Sequence, residues 1–291
     1  MSNELLDYYK SKGGTKDLLN RKKHPEINYK STGFFEDIGI MSTPKGIYYV
    51  KTASKRERDA EILLSRIYEK AGLSTAIYTP VGKRGFYTGV ASNDVVNGDN
   101  NIIRAKEYIR EYGFKIAKDI EDPEAKHIII RKPFYMPKRF EDAHANYDEF
   151  ITKEGMRSLL LKRIFDSASY NIDGHYRNYF YATTDGKKVT DTISIDHSLS
   201  GNAYRSDPLI YYNEFHEDKL RISDLLYKYT DSEIAQSYLP TIECAETIGS
   251  INVIRTAKEI EKEEGYSINQ KYVDAIANRY AMAANCLMLT V

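Results

Sequence analysis

The stretch NIDGHYRNYFYATTDGKKVTDTISIDHS, from Asn171 to Ser198, contains the pattern that decides the fold. Two strand-like runs, NYFYATT and KVTDTISI, flank the turn sequence DGK, which predicts a β-hairpin. Asp173 precedes the first strand, Asn178 begins it, and Asp196 follows the second strand. Because a hairpin returns the chain to its starting point, we expect Asp196 to lie near Asn178. The stretch therefore predicts a pair of oxygen ligands beside a further carboxylate.

Helical patterns surround this hairpin on both sides. The segment GMRSLLLKRIFDSASY (155–170) places apolar residues on one side of a helix that leads directly into the hairpin. Another helix is expected at IIRAKEYIREYGF (102–114). Most of the remaining chain is helical in pattern, in ISDLLYKYT, SEIAQSYLPTIECAETI, INVIRTAKEIEKEEGY and KYVDAIANRYAMAANCLML. Residues 93–291 are therefore expected to form a mainly helical lobe with one embedded hairpin.

The first part of the chain has a different pattern. Two short runs, GFFEDIGIM and GIYYVKTA, predict strands joined by a turn. The helical pattern KRERDAEILLSRIYEKAGL follows, and then a hairpin pattern with the turn GKRG. Residues 33–92 thus predict a small lobe with an antiparallel sheet and one helix, and the polar segment 92–101 predicts its boundary. We expect an α+β fold with two lobes, preceded by an N-terminal extension at 1–32.

The bulk composition argues against several classes of function. The 291 residues carry 42 basic and 42 acidic side chains, so nothing global favours a nucleic acid or a membrane surface as partner. The first residues have no apolar leader pattern, and no run approaches the ~18 apolar residues that a membrane span needs. The two cysteines, Cys244 and Cys286, have no metal-ligand spacing and suit a reducing compartment. A cytoplasmic location is expected.

Lys51 and Glu61 form a candidate pair in the N-terminal part of the chain. Lys51 lies near the end of the second predicted strand, and Glu61 lies on the helix that follows. A lysine at this place can bind phosphates, and an acidic residue on the helix can hold that lysine in position. Glu57 and Asp59 are rival partners for Lys51. Periodicity favours Glu61 mildly, because it borders the apolar stripe of the helix.

Each of these residues also has an ordinary structural explanation. Lys51 could be one of the lysines that protect sheet edges, and Asp196 could simply end a strand. Acidic residues near a helix start, such as Glu61, also favour the helix dipole. The order of the residues, and the type of element expected to carry each one, favour a functional interpretation of the whole set.

The set follows the order of the residues that carry phosphoryl transfer in protein kinases. There, a strand Lys and a helix Glu precede a catalytic-loop Asp, an Asn five residues later, and an Asp after the next hairpin. The segment YNIDGHYRNYFY resembles the catalytic loop of the HipA-like kinases, which carry Asp-x-His-x-x-Asn. Phosphatidylinositol-kinase-like enzymes have a related loop. DAEILLSRIYEKAGL similarly resembles the helix after the Lys strand in the HipA-like family, and the resemblance covers roughly residues 35–200.

The motifs of ordinary protein kinases are altered in this chain. DGH stands in place of His-Arg-Asp, and IDHS stands in place of Asp-Phe-Gly. The sequence contains no Ala-Pro-Glu motif, and its first hairpin contains no Gly-x-Gly-x-x-Gly. The resemblance is therefore to the atypical kinases, with the catalytic loop as its most specific part.

The resemblance implies a role for each residue of the opening stretch. Asp173 would orient or deprotonate the hydroxyl group of the acceptor, and His175 would support the loop or the transferring phosphate. Asn178 and Asp196 would bind Mg²⁺, which takes carboxylate and amide oxygens as ligands.

The resemblance also implies roles in the N-terminal lobe. Lys51 would bind the phosphates of ATP, and Glu61 would hold Lys51 in position. The turn MSTPKG would lie over the phosphates, with Ser42 and Thr43 offering hydroxyl and amide groups. In HipA-like kinases a Ser in this loop can be autophosphorylated, which makes Ser42 a candidate for that modification.

The expected function is that of an ATP- and Mg²⁺-dependent HipA-like kinase that acts on Ser or Thr of a protein substrate. Two alternatives stay open: a lipid, sugar or other small-molecule kinase of the same fold, and a nucleotide-binding pseudokinase. The presence of Lys51, Asp173, Asn178 and Asp196 argues against the pseudokinase. The expected partners are ATP and a protein substrate.

Overall fold

The N-terminal part of the chain forms an antiparallel sheet with five strands, in the order β1-β2-β3-β5-β4. Its strands are β1 (Asn28–Ser31), β2 (Ile38–Thr43), β3 (Gly46–Thr52), β4 (Tyr78–Lys83) and β5 (Phe86–Asn93). The computed structural model describes residues 28–31, 38–43, 46–83, 86–96, 98–108, 151–171, 178–205, 210–213, 218–221 and 237–289. Strand β1 lies within residues 1–32, which the sequence predicts to be an N-terminal extension. The local pattern does not predict this strand, because it forms by pairing with β2.

Helix α1 (Lys55–Lys70) connects β3 to β4 and has well-defined ends. The side chain of Ser54 accepts a hydrogen bond from the amide of Glu57, and the carboxylate of Glu57 accepts one from the amide of Ser54. Gly72, with φ of 76°, takes the left-handed conformation that ends the helix. Between these ends, the apolar stripe that includes Leu63 and Ile67 is fully buried.

A second antiparallel sheet contains the predicted hairpin. Its strands, in the order β6-β7-β8, are β6 (Ile102–Arg104), β7 (Tyr179–Thr184) and β8 (Lys188–Ser194). Asp185 and Gly186 both have positive φ in the turn, as the DGK pattern predicts. The predicted helix does not begin at residue 102, because pairing with β7 makes Ile102–Arg104 a strand. Helix α2 is described over Ala105–Tyr108, and the rest of the predicted helix, 109–114, lies outside the described residues.

The remaining elements are mainly helical. They are α3 (Lys153–Ala168), a 3-10 helix (Ser198–Arg205), the strand pair β9 (Ile210–Asn213) and β10 (Asp218–Arg221), and the helices α4 (Thr241–Gly249), α5 (Val253–Glu264) and α6 (Gln270–Met288). Pro240 is the N-cap of α4, so the helical pattern predicted across it is interrupted. The helix predicted at 222–230 lies outside the described residues.

One hydrophobic core joins the helices around the opening stretch. Tyr68 of α1 packs edge-to-face on Phe165 of α3, with ring centroids 5.5 Å apart, and Phe165 packs in the same way on Tyr280 of α6. Cys244 and Cys286 are both free thiols. Among the described helices, none has the length and apolar content that crossing a bilayer requires. The core fixes α3, and with it the entry to the segment that contains Asp173.

Candidate active site

Lys51, Glu61 and Asp196 meet at one point, although they come from three separate elements. Lys51 lies on β3, where it faces Val90 of β5 in the sheet register. Its Nζ forms an ion pair with Oε1 of Glu61 on α1 and lies 3.0 Å from Oδ1 of Asp196. The side chain of Glu61 is fully buried, whereas Asp196 keeps 35% of its side-chain surface exposed. The cluster therefore has a closed end at Glu61 and an open end at Asp196.

The two rival partners of Lys51 have other roles. Glu57 completes the capping box with Ser54 at the start of α1. Asp59 forms an ion pair with Lys55, at 2.6 Å, and points toward the C-terminal helices. Of the three acidic side chains considered from the sequence, Glu61 is the one that the structure brings to Lys51.

Glu61 also contacts the chain after β8. The backbone amide of His197 donates a hydrogen bond of 2.8 Å to Oε2 of Glu61. One buried carboxylate therefore joins the lysine on β3 to the residue that follows Asp196. A buried charge is stable only when it is paired and hydrogen-bonded in this way.

The three charges of the cluster determine one another's protonation. Burial lowers the pKa of Lys51, but the carboxylates of Glu61 and Asp196 outweigh burial and hold that pKa above its ordinary value. Burial raises the pKa of Glu61, and the Lys51 ammonium limits that rise. For Asp196, Lys51 and the hydroxyl of Ser198 outweigh burial and hold the pKa below its ordinary range. Asp196 is therefore an anion at neutral pH.

Asp196 is held in an uncommon backbone conformation. Its φ is 58°, in the left-handed region that residues other than glycine rarely adopt. Its amide donates to the hydroxyl of Tyr78, at 3.1 Å, and its Oδ1 accepts from the hydroxyl of Ser198, at 2.7 Å. The sequence assigned no role to either residue, because Tyr78 lies outside every motif and Ser198 enters only as the last residue of IDHS. An Asp followed two residues later by Ser is a weak signal for such a turn.

Asn178 lies beside Asp196, as the hairpin predicts. The backbone carbonyl of Asn178 accepts a hydrogen bond of 3.0 Å from the amide of Ile195. The next pair in the register is Tyr179 with Ser194. The hairpin therefore brings the backbone of Asn178 to the residue before Asp196.

Four of the predicted residues are described only in part or not at all. Asp173 and His175 lie in the segment 172–177, outside the described residues. Ser42 and Thr43 are the last residues of β2, opposite Ile47 and Gly46 of β3. The backbone thus brings both residues to the turn between β2 and β3, and their side chains are not described.

His197 is a buried aromatic residue that separates Asp196 from the core. Its ring packs edge-to-face on Tyr68, with centroids 4.7 Å apart, and lies 6.4 Å from the ring of Tyr78. Its Nε2 is 3.2 Å from the hydroxyl of Thr75. Burial lowers the pKa of His197 to about 4, so the ring is neutral at neutral pH.

The oxygen atoms at this site suit a hard divalent cation. The hydrogen bonds that Lys51 and Ser198 donate to Asp196 all end on Oδ1. A carboxylate and an amide oxygen are ligands that Mg²⁺ accepts, with phosphates and water completing its shell. Among the described residues, no three His, Cys, Asp or Glu side chains cluster as a metal site. The Asp196 carboxylate fits Mg²⁺ that is bound together with a phosphate ligand.

Comparisons with known proteins support the fold. The structure is similar to the crystal structure of the Helicobacter pylori proinflammatory kinase CtkA, with a TM-score of 0.55 and 9% identity over 91% of this chain and 95% of that one. A weaker match is HipA of Shewanella oneidensis MR-1, solved with HipB and operator DNA, with a TM-score of 0.42 and 12% identity over 83% of this chain and 58% of that one. Another is the choline kinase LicA of Streptococcus pneumoniae, with a TM-score of 0.29 and 10% identity over 93% of this chain and 98% of that one. No family model and no curated protein matches the sequence. The kinase-like α+β fold implied by the catalytic-loop motif is confirmed.

Proposed function

We propose that the protein is an ATP- and Mg²⁺-dependent kinase that transfers the γ-phosphoryl group to a hydroxyl, with Ser or Thr of a protein as acceptor. The observation that carries the proposal is the meeting of Lys51, Glu61 and Asp196, since Lys51 Nζ touches both carboxylates. In a kinase-like fold, these are the groups that bind phosphate, hold the lysine and hold the metal.

Lys51 would bind the phosphates of ATP in this proposal. Its pKa lies above the ordinary value, so it carries a full positive charge at neutral pH. Glu61 is buried and also bonded to the His197 amide, so it would keep Lys51 at a constant position. Positioning of this kind is a major part of catalysis in phosphoryl transfer. The turn after Ser42 and Thr43 would cover the phosphates.

Asp196 and Asn178 would hold Mg²⁺ through oxygen atoms, because the backbone joins them across the hairpin. The ion, when bound, would offset the charge that develops on the transferring phosphoryl group. Asp173, which follows α3 in the sequence, would orient the acceptor hydroxyl and take its proton, and His175 would support that loop. Both roles are proposed from the motif DGHYRN.

Incubation of the purified protein with γ-labelled ATP and Mg²⁺ tests the proposal. Label should enter protein when a protein extract is offered, and mass spectrometry after incubation with ATP alone should report whether Ser42 is modified. Label in a lipid or metabolite fraction instead would keep the kinase and overturn the protein acceptor. Binding of ATP without any transfer would identify a pseudokinase.

Asp196→Asn and Asp185→Asn form a matched pair for this assay. Both aspartates have a positive φ, of 58° and 52°, and asparagine tolerates that conformation. Asp185 is exposed in the β7–β8 turn, so its variant should keep the full transfer rate. Asp196→Asn should lose at least about 100-fold, because removal of one strong electrostatic contact typically costs that much. Full activity in Asp196→Asn would contradict the metal assignment.

A further inference from the structure

The helix that carries Glu61 is attached to the C-terminal helices along its length. Three basic residues of α1 form ion pairs: Lys55 with Asp59 of the same helix, Arg66 with Glu264, and Lys70 with Glu259. Glu259 and Glu264 belong to α5, about 200 residues later in the chain. The residues from Glu259 to Asn269, the last turns of α5 and its connection to α6, are called the C-terminal brace below.

The first attachment closes around the buried carboxylate of Asp59, which is 2% exposed. Its Oδ1 accepts hydrogen bonds from the hydroxyl of Tyr266, at 2.8 Å, and from Lys55, at 2.6 Å. Its Oδ2 accepts from the amide of Asn269, at 3.2 Å. Lys55 also donates to the carbonyl of Ser267, at 2.6 Å. Both oxygens of one α1 carboxylate are thus bonded to the brace.

The second attachment is the ion pair between Arg66 and Glu264. The nitrogen–oxygen distance is 2.6 Å, and the side chains are only 12% and 0% exposed. Gly265 follows with φ of 64°, the left-handed conformation that ends α5 directly after Glu264 and turns the chain toward Tyr266. Removal of one partner of a buried ion pair leaves an uncompensated charge, so this contact is costly to break.

These two attachments lie on either side of Glu61. Asp59 precedes it by two residues and Arg66 follows it by five, which places them about 3 Å and about 7.5 Å away along the helix axis. Rotation or translation of α1 that withdrew Glu61 from Lys51 would therefore strain both attachments together. The third pair, Lys70 with Glu259, is partly exposed on both sides and contributes little.

We propose that the C-terminal brace holds helix α1 in place, and that Asp59, Arg66, Glu264 and Tyr266 are positioning residues that keep Glu61 within reach of Lys51. The lysine–glutamate pair is thereby assembled by the chain itself, without a partner protein. The relevance of the brace to catalysis rests on the proposed kinase function; its effect on α1 does not.

Hydrogen–deuterium exchange of the full chain, followed by mass spectrometry, measures the opening of α1 directly. Glu264→Gln removes a buried ion pair, and Tyr266→Phe removes a hydrogen bond to the buried carboxylate of Asp59. Each variant should therefore accelerate exchange in peptides from α1 by at least about tenfold. Glu261→Gln is the matched control, because Glu261 lies on the same helix with an exposed side chain. That variant should exchange like the wild type.

Peptides from the β7–β8 hairpin distinguish a local brace from a general loss of stability. They should exchange at the wild-type rate in both brace variants. Unchanged exchange in α1, or an equal acceleration in α1 and in the hairpin, would overturn the proposal. Tyr266→Phe keeps the ring and removes only the hydroxyl, so it still decides the matter where Glu264→Gln fails to fold.

Acylation of Lys51 by N-hydroxysuccinimidyl acetate at pH 8 gives a second readout that needs no kinase activity. When Glu61 moves away, the Lys51 amine is released from its ion pair with Glu61 and should react several-fold faster, relative to the exposed Lys153 as internal reference. An unchanged ratio in both variants would contradict the link from the brace to Lys51. If the exchange and acylation results are as expected but the wild-type protein transfers no phosphate, the brace is supported and the kinase function is contradicted.

Discussion

The backbone amide of His197 donates a hydrogen bond of 2.8 Å to Oε2 of Glu61, across 136 residues of sequence. This bond joins the helix of the N-terminal sheet to the segment that directly follows Asp196. Since Oε1 of the same carboxylate pairs with Lys51, the position of Glu61 determines both distances at once. A change at Lys51, Glu61 or Asp196 should therefore affect the other two residues.

Glu61→Gln should reduce phosphoryl transfer without unfolding the protein. The amide can still accept from the His197 amide, but the ion pair with Lys51 is lost. Since hydrogen bonds between charged groups contribute about 1.5–3 kcal/mol, we expect a loss of about tenfold to a hundredfold in kcat/KM for ATP. Steady-state kinetics and thermal unfolding measure the two effects. Glu57→Gln, at the helix cap, should keep the wild-type kcat/KM.

Stability should fall as the pH decreases from about 6.5 to about 4, because His197 is buried as the neutral ring. Its pKa is about 4 in the folded protein against about 6.5 when exposed, so the unfolded chain binds the extra proton first. The stabilisation is complete above pH 6.5 and is lost as the pH falls through this window, by up to about 3 kcal/mol.

His197→Phe isolates this contribution, because the other titrating groups are shared with the wild type. Urea unfolding at several pH values measures the difference. The slope of the free energy of unfolding between pH 4 and 6.5 should be smaller in the variant. Equal slopes in the two proteins would show that His197 does not titrate in this window.

Gly201→Ala should separate the 3-10 helix from α1. A methyl group at Gly201 would lie 2.8 Å from Cγ of Arg56 and 2.8 Å from its carbonyl oxygen. The backbone oxygen cannot move aside, so one helix must shift, at a cost of about 1–3 kcal/mol. Denaturant unfolding should show this loss, and transfer activity should fall because the 3-10 helix begins two residues after Asp196. Gly72→Ala is no control for packing, since Gly72 has a positive φ.

Gly249→Ala is the suitable control for that experiment. A methyl group there meets only Cβ of Ala284, at 3.8 Å, which is ordinary contact. Its free energy of unfolding should stay within about 0.5 kcal/mol of the wild-type value. A wild-type stability in Gly201→Ala would mean that the two helices adjust to the methyl group.

Arg279→Met should destabilise the end of α3. The guanidinium of Arg279 is fully buried and donates to the carbonyls of Ala168 and Ser167, at 2.9 and 3.2 Å. Each of these two buried carbonyls left without its donor costs about 1–3 kcal/mol, so we expect a loss of about 2–6 kcal/mol in the free energy of unfolding. Arg255→Met serves as control, since that side chain is 76% exposed and its ion pair contributes little.

Much of the secondary structure follows from local sequence. Ser54 and Glu57 predict the start of α1, because their side chains bond to the free backbone amides there. Asp185 and Gly186 predict the β7–β8 turn, because these residue types tolerate positive φ. Strand β6 does not follow from the local sequence. Its three residues directly precede helix α2, and they form a strand because they pair with β7.

The sequence by itself determined which residue types are present, in which order, and on which kind of element: a lysine on a strand, acids on a helix, and an aspartate after a hairpin. It favoured Glu61 only mildly over Glu57 and Asp59, because the three lie within five positions on one helix. The tertiary structure decided that, because only Glu61 reaches Lys51 while Asp59 is bonded to Tyr266 and Asn269. Local patterns follow from bonds between near neighbours, whereas a buried charge is stable only where distant parts of the chain bring it a partner.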